Sequence, residues 1–88
     1  MSGHPPQASY RAWLAATRAR LAPIIGPEDA AREARLILAH VTGQSSARLS
    51  VAGDDPLPRA QCDRADAMVT RRIAREPLAQ ILGQWAFY

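Results

Sequence analysis

Apolar residues recur at three- and four-residue intervals through most of this chain, and prolines and glycines interrupt them where helices would end. Tyr10, Trp13, Leu14, Thr17 and Leu21 share one face of a first helix, with Ser9 as its cap and Arg11 and Arg18 elsewhere on the cylinder. Pro23 is expected to stop this helix, because the residue before a proline is pushed out of the helical region. Gly26-Pro27-Glu28-Asp29 then starts a second helix. Proline suits the first position, where no amide partner is needed, and two acids complement the positive end of the dipole. The expected buried stripe is Ala30, Ala34, Ile37, Leu38 and Val41. Glu28 and Arg32 stand at the favourable i, i+4 spacing on the wet side, and Gly43 takes a left-handed conformation after Thr42.

Ser46 is expected to cap a short third helix, Ala47 to Ala52, in which Leu49 and Val51 are the apolar contributions and Gly53 the stop. After the turn-rich Asp54-Asp55-Pro56-Leu57-Pro58, a fourth helix from Arg59 to Arg75 carries Cys62, Ala65, Met68, Val69 and Ile73 at helical spacing. Arg71, Arg72 and Arg75 crowd its last turns, where cations complement exposed carbonyls. Pro77 forces a break before a short fifth helix with Leu78, Ile81 and Leu82, ending at Gly83. In the final stretch, Trp85 and Phe87 would face one side of an extended segment and Tyr88 the other, as in the first strand of a hairpin; an unstructured tail is the alternative for the chain alone. The pattern therefore predicts an all-α fold, a small bundle of about five helices with the start of a β-hairpin linker at its C-terminal end. It divides into a flexible N-terminus over 1–8, a helical domain over 9–83 and the linker start over 84–88. Aromatic residues with no following partner segment predict a domain of a longer protein.

Composition narrows the function classes. A chain of 88 residues is one domain, of a size that buries only about 60–65% of its unfolded surface. One cysteine, Cys62, excludes an internal disulfide framework, and His4 and His40 stand too far apart to suggest a zinc site, so no metal is expected and a cytoplasmic location fits. Met1 to Pro6 has no basic start followed by an apolar run, so neither a signal peptide nor a membrane span is expected. The net charge of +3 comes from eleven arginines and no lysine against eight acids. Because the acids are interspersed and no basic block occurs, solvated helix faces explain the arginines better than a nucleic-acid surface does.

No catalytic constellation is visible. The glycines are too scattered for a nucleotide-binding turn, and the phosphate-loop lysine is missing, so neither catalytic nor cofactor-binding residues are assigned. His40 reads as a helix-end residue and Cys62 as part of the core stripe. Ser45 and Ser46 read as caps, and Asp54 and Asp55 as turn residues.

Two stretches carry a resemblance. Glu33-Ala34-Arg35-Leu36-Ile37-Leu38-Ala39-His40-Val41-Thr42-Gly43 is the first, and Arg71-Arg72-Ile73-Ala74-Arg75-Glu76-Pro77-Leu78-Ala79-Gln80-Ile81-Leu82-Gly83, followed by Phe87-Tyr88, is the second. Together they resemble the N-terminal domain of the HemK/PrmC family from about Tyr10 to Tyr88; the second run is the more specific. The resemblance implies an S-adenosylmethionine-dependent methyltransferase acting on the glutamine side-chain amide of the Gly-Gly-Gln motif of peptide chain release factors. It implies further that this helical domain engages the release factor and is joined to its own C-terminal catalytic domain through a hairpin begun by Trp85, Phe87 and Tyr88. Glu33 stands where the family usually has aspartate, Arg75 where a glycine commonly precedes Glu-Pro, and Gln80 where tyrosine or histidine is usual. The family's Asn-Pro-Pro-Tyr motif cannot lie here, since the chain contains no asparagine, so these residues alone should be inactive and hold no cofactor. Arg71, Arg72, Arg75 and Glu76 are the candidate partner contacts, placed where the bundle would approach the catalytic half. The competing expectations are a small arginine-rich nucleic-acid-binding module, whose affinity would fall steeply with salt, and a free-standing protein-interaction domain.

Overall fold

A computed structural model of the chain describes residues 8–83. They form five helices: α1 (Tyr10–Ile25), α2 (Pro27–Thr42), α3 (Ser46–Val51), α4 (Arg59–Ile73) and α5 (Leu78–Leu82). Among the described residues there is no sheet, only an isolated antiparallel bridge between Ser9 and Pro56, so the architecture is the small all-α bundle expected. Residues 1–7 of the expected flexible stretch 1–8, and the hairpin start at 84–88 with Trp85, Phe87 and Tyr88, lie outside the described residues. None of the described helices is long and apolar enough to cross a membrane.

The helical hairpin of α1 and α2 is the frame. A single residue, Gly26, joins the two helices at φ 91° and ψ 155°, a conformation that a side chain would strain. Its N–H closes α1 on the Ala22 carbonyl at 2.8 Å, and its carbonyl accepts the first bond of α2 from Ala30 N–H at 2.9 Å. Pro23 does not stop α1; the helix runs two residues past it. Proline removes one donor so close to the end that a single hydrogen bond is lost, and the Gly26 bond closes the last turn regardless.

Serine caps open α1 and α3, and a proline opens α2. Ser9 Oγ accepts from Ala12 N–H at 3.0 Å, as a capping serine should. The free N–H groups of Tyr10 and Arg11 donate to Asp55 and Gly53 carbonyls at 3.1 and 2.8 Å, so the loop before α4 completes the cap of α1. α2 has the expected Pro27 start and ends on Gly43 in the left-handed region, φ 73°. The cap of α3 is Ser45, one residue earlier than expected, accepting from Arg48 N–H at 3.3 Å. The α3 helix ends at Val51, before Gly53.

The core follows the predicted stripes. Tyr10, Trp13 and Leu21 meet Ala30, Ala34, Ile37, Leu38 and Val41, and Leu49, Ala65, Val69 and Leu82 close it from the other three helices. Side chains such as Leu21, Ile37 and Leu38 are fully buried, each contributing about 1.5–3 kcal/mol. Two placements differ from expectation. Val51 is 82% exposed because α3 offers only one turn and a half and its inward position goes to Leu49. Leu57 is buried within the loop, drawn in by its N–H bond to the Ala8 carbonyl at 2.8 Å.

Candidate functional site

The four residues singled out from the sequence meet at the C-terminal end of α4. That helix ends at Ile73 rather than Arg75, because Arg75 adopts a left-handed φ of 77° and reverses the chain. Arg75 N–H bonds back to the Arg72 carbonyl at 2.9 Å and Glu76 N–H to the Arg71 carbonyl at 3.2 Å, the paired bonds that satisfy a helix's last acceptors. Glycine takes this conformation without strain; a side chain there costs about 1–2 kcal/mol. Pro77 holds Glu76 out of the helical region, so α5 starts fresh at Leu78.

This reversal returns Glu76 to its own helix. Arg71 grips it with two bonds, Nε to Oε1 at 3.0 Å and Nη2 to Oε2 at 2.5 Å. The guanidinium bonds lower the Glu76 pKa below the ordinary glutamate value of 4.5 and, reciprocally, raise that of Arg71. Arg72 points the other way, into the bundle, where Nε meets Glu33 Oε1 of α2 at 2.7 Å and Nη1 reaches the Glu76 carbonyl at 3.3 Å. Their side chains are only 18% and 8% exposed, so this pair is largely withdrawn from water. Arg32 lies 3.9 Å from the second Glu33 oxygen. On the wet side, Arg32 bonds Asp29 at 3.4 Å rather than pairing with Glu28, since a residue three positions back is as close as one four back. Arg75 is exposed and forms no ion pair among the described residues.

Glu33 was not among the candidate contacts expected from the sequence, yet its position carries a signal. It lies three residues after Ala30 and four before Ile37, inside the apolar stripe of α2, and a carboxylate there needs a buried partner. Arg72 is that partner, and the pair ties α2 to α4 beside the exit toward α5.

The remaining polar groups serve structure. Asp66 of α4 accepts the indole N–H of Trp13 at 2.8 Å and faces the Cys62 thiol at 3.7 Å. Burial, and after it the Asp66 charge, pushes the Cys62 pKa above its ordinary 9.0, which disfavours the thiolate, the reactive form. Gln44 donates to the Tyr10 hydroxyl at 3.1 Å, fixing the turn after α2 to α1. His40 is exposed beside Leu36, Ala39 and Leu82 in a shallow apolar cleft near the end of α5. Among the described residues, no three of His, Cys, Asp and Glu converge in a way that could hold a metal ion. The corner is thus a joint in which Arg71 and Arg72 are paired with carboxylates and Arg75 stays open to solvent.

Residues 12–83 match the model of the PrmC N-terminal domain, and the chain belongs to that family. It is 41% identical over 63 residues to the release factor glutamine methyltransferase of Cereibacter sphaeroides, covering 72% of this chain and 23% of that one. It is 33% identical over 79 residues to the release factor glutamine methyltransferase of Escherichia coli, covering 90% of this chain and 27% of that one. A bifunctional methyltransferase of Rickettsia prowazekii is 36% identical over 56 residues, covering 64% of this chain and 11% of that one. The chain thus spans about a quarter of the length of the first two relatives. No solved structure matches it.

Proposed function

We propose that this domain recognises a peptide chain release factor for a methyltransferase that modifies the glutamine side-chain amide of the Gly-Gly-Gln motif, with S-adenosylmethionine as methyl donor. The match to the PrmC N-terminal domain over residues 12–83 carries this reading. The catalytic residues and the cofactor site belong to a further domain of the longer protein, which is a second partner of this one. The helical domain alone is inactive.

Its contribution is orientation. Transfer of a methyl group to one amide requires that amide to be held in line with the sulfonium, and a second domain gripping the protein substrate reduces the entropy lost at that step. The corner suits such a grip because its backbone is fixed by capping bonds and its inner charges are satisfied. Arg75 is then free to meet an acidic group, with Arg71 and Glu76 beside it and Arg72 holding the frame.

Methyl transfer to a purified release factor by the full-length protein tests the reading. We expect incorporation at the Gly-Gly-Gln glutamine and a raised KM for the release factor on charge reversal at Arg71 and Arg75. Absence of transfer would reject the function; unchanged kinetics in the variant would remove these two arginines from the contact.

A further inference from the structure

A second arginine cluster lies elsewhere on the bundle, around a cleft of about 360 Å³ where α1, α2 and α3 meet. Arg11 and Arg18 stand seven positions apart on one face of α1, and Arg35 of α2 closes the opposite side. All three side chains are exposed. Between them the floor is aliphatic, made by Leu14, Ala15 and Leu49.

Two of the guanidinium groups are held in place. Arg35 donates to Ser50 Oγ at 3.3 Å across the α2–α3 junction. Arg11 lies over Gly53, where an added Cβ would come within 2.8 Å of its Nη2, so the missing side chain makes room for the guanidinium. Arg11 also pairs with Asp54, the one carboxylate that bridges any of the three among the described residues. Arg18 forms no ion pair among them. A positive rim around an aliphatic floor is complementary to a peptide segment that carries carboxylates on either side of one apolar side chain. Nucleic acid fits less well, because no aromatic residue lines the cleft to stack on a base and the cations form a spot, not a track.

We propose that this cleft docks an acidic segment of the release factor, its apolar side chain on the aliphatic floor and its carboxylates on Arg11, Arg18 and Arg35. The proposal rests on the recognition function above and assigns it a second contact surface, separate from the Arg71–Glu76 corner.

The test uses the full-length protein, a purified release factor and two variants. Arg18→Glu with Arg35→Glu reverses the rim; Ala15→Glu places a carboxylate on the floor and leaves every arginine in place. Both alter exposed positions, so circular dichroism and thermal melting should match wild type. Each variant is expected to raise KM for the release factor by about tenfold or more at unchanged kcat, with the wild-type affinity falling as salt rises. Arg18→Lys with Arg35→Lys should keep most of the affinity. Unchanged KM in both variants while the wild type methylates normally would overturn the cleft assignment and leave the recognition function standing. A wild type that transfers no methyl group would remove that function and the occupant named here. Binding of a single-stranded RNA probe that the same substitutions abolish would reassign the cleft to nucleic acid and overturn the proposal as well.

Discussion

The two arginine clusters of this domain contain the same side chain in opposite circumstances. At the α4–α5 corner, Arg71 and Arg72 each hydrogen-bond to a carboxylate, and Arg72 is mostly buried. At the α1–α2–α3 cleft, only Arg11 of the three exposed arginines meets a carboxylate, Asp54, and neither Arg18 nor Arg35 has one within ion-pair distance among the described residues. A charge satisfied inside the protein has little left to offer a partner, while one held at the rim of an open cleft keeps its attraction for an incoming anion. The inner Arg72–Glu33 pair of the corner should therefore govern stability, while the cleft arginines and the corner's open Arg75 should govern binding.

The largest effect should come from breaking the inner pair. Glu33→Ala leaves the Arg72 guanidinium largely buried without its carboxylate and should cost about 3 kcal/mol, read as a lower midpoint in urea denaturation. In a domain of this size that corresponds to a fall in Tm of roughly 12–24 °C. Glu33→Leu with Arg72→Met removes both charges and should restore most of the loss, because an apolar pair of similar volume costs no desolvation of ions. If the single and double variants are equally unstable, the pair is not what holds α2 to α4.

Next in size is a gain. Arg75 carries a side chain where the backbone reversal favours glycine, and Arg75→Gly should raise stability by about 1 kcal/mol, less the entropy glycine adds to the unfolded chain. The same change removes the corner's open cation. A stabilised variant with raised KM for the release factor would separate the two roles of this one position.

How much of this contrast the sequence could reveal depends on the range of each interaction. The stripes of α1 and α2, the Ser9 cap, the Pro27 start and the Gly43 end are set by neighbours within one or two turns, and all are found where the periodicity puts them. The Arg71–Glu76 pair was half visible, its members being five positions apart and already marked together. The Glu33–Arg72 pair spans 39 positions, and the only trace of it was a carboxylate inside an apolar stripe. The cleft was less legible still. Arg11 and Arg18 could be placed on one face of α1, but only the packing of α2 and α3 brings Arg35 opposite them and leaves an aliphatic floor between. Pro23 misled for the converse reason: its local effect is real, but the Gly26 cap lies within reach to close the turn.

The cleft arginines should be nearly silent in stability. Arg18→Glu and Arg35→Glu, taken singly, should each change unfolding free energy by no more than about 0.5 kcal/mol, since each alters an exposed charge with no carboxylate to lose. A loss several times larger at either position would make that arginine a structural strut and remove the contrast between the two clusters.

The smallest effect concerns the outer pair at the corner, and its sign follows from Glu76. Arg71 lowers the folded-state pKa of this carboxyl below the ordinary 4.5, so the folded protein binds the proton less readily than the unfolded chain does. The stabilisation is therefore complete above pH 4.5 and is lost as pH falls through the lower, folded-state value. Carboxyl-detected NMR titration of the protein should give Glu76 a midpoint below 4.5, and Arg71→Ala should return it toward that value. Glu76→Gln should flatten the corresponding part of the acid limb when urea midpoints are measured across that range. Because the pair is open to water, about 0.5 M salt should weaken the shift, with a screening length of only about 4 Å. A Glu76 midpoint that Arg71→Ala leaves in place would mean that the guanidinium does not hold the carboxylate in solution, and the corner would then present two free arginines instead of one.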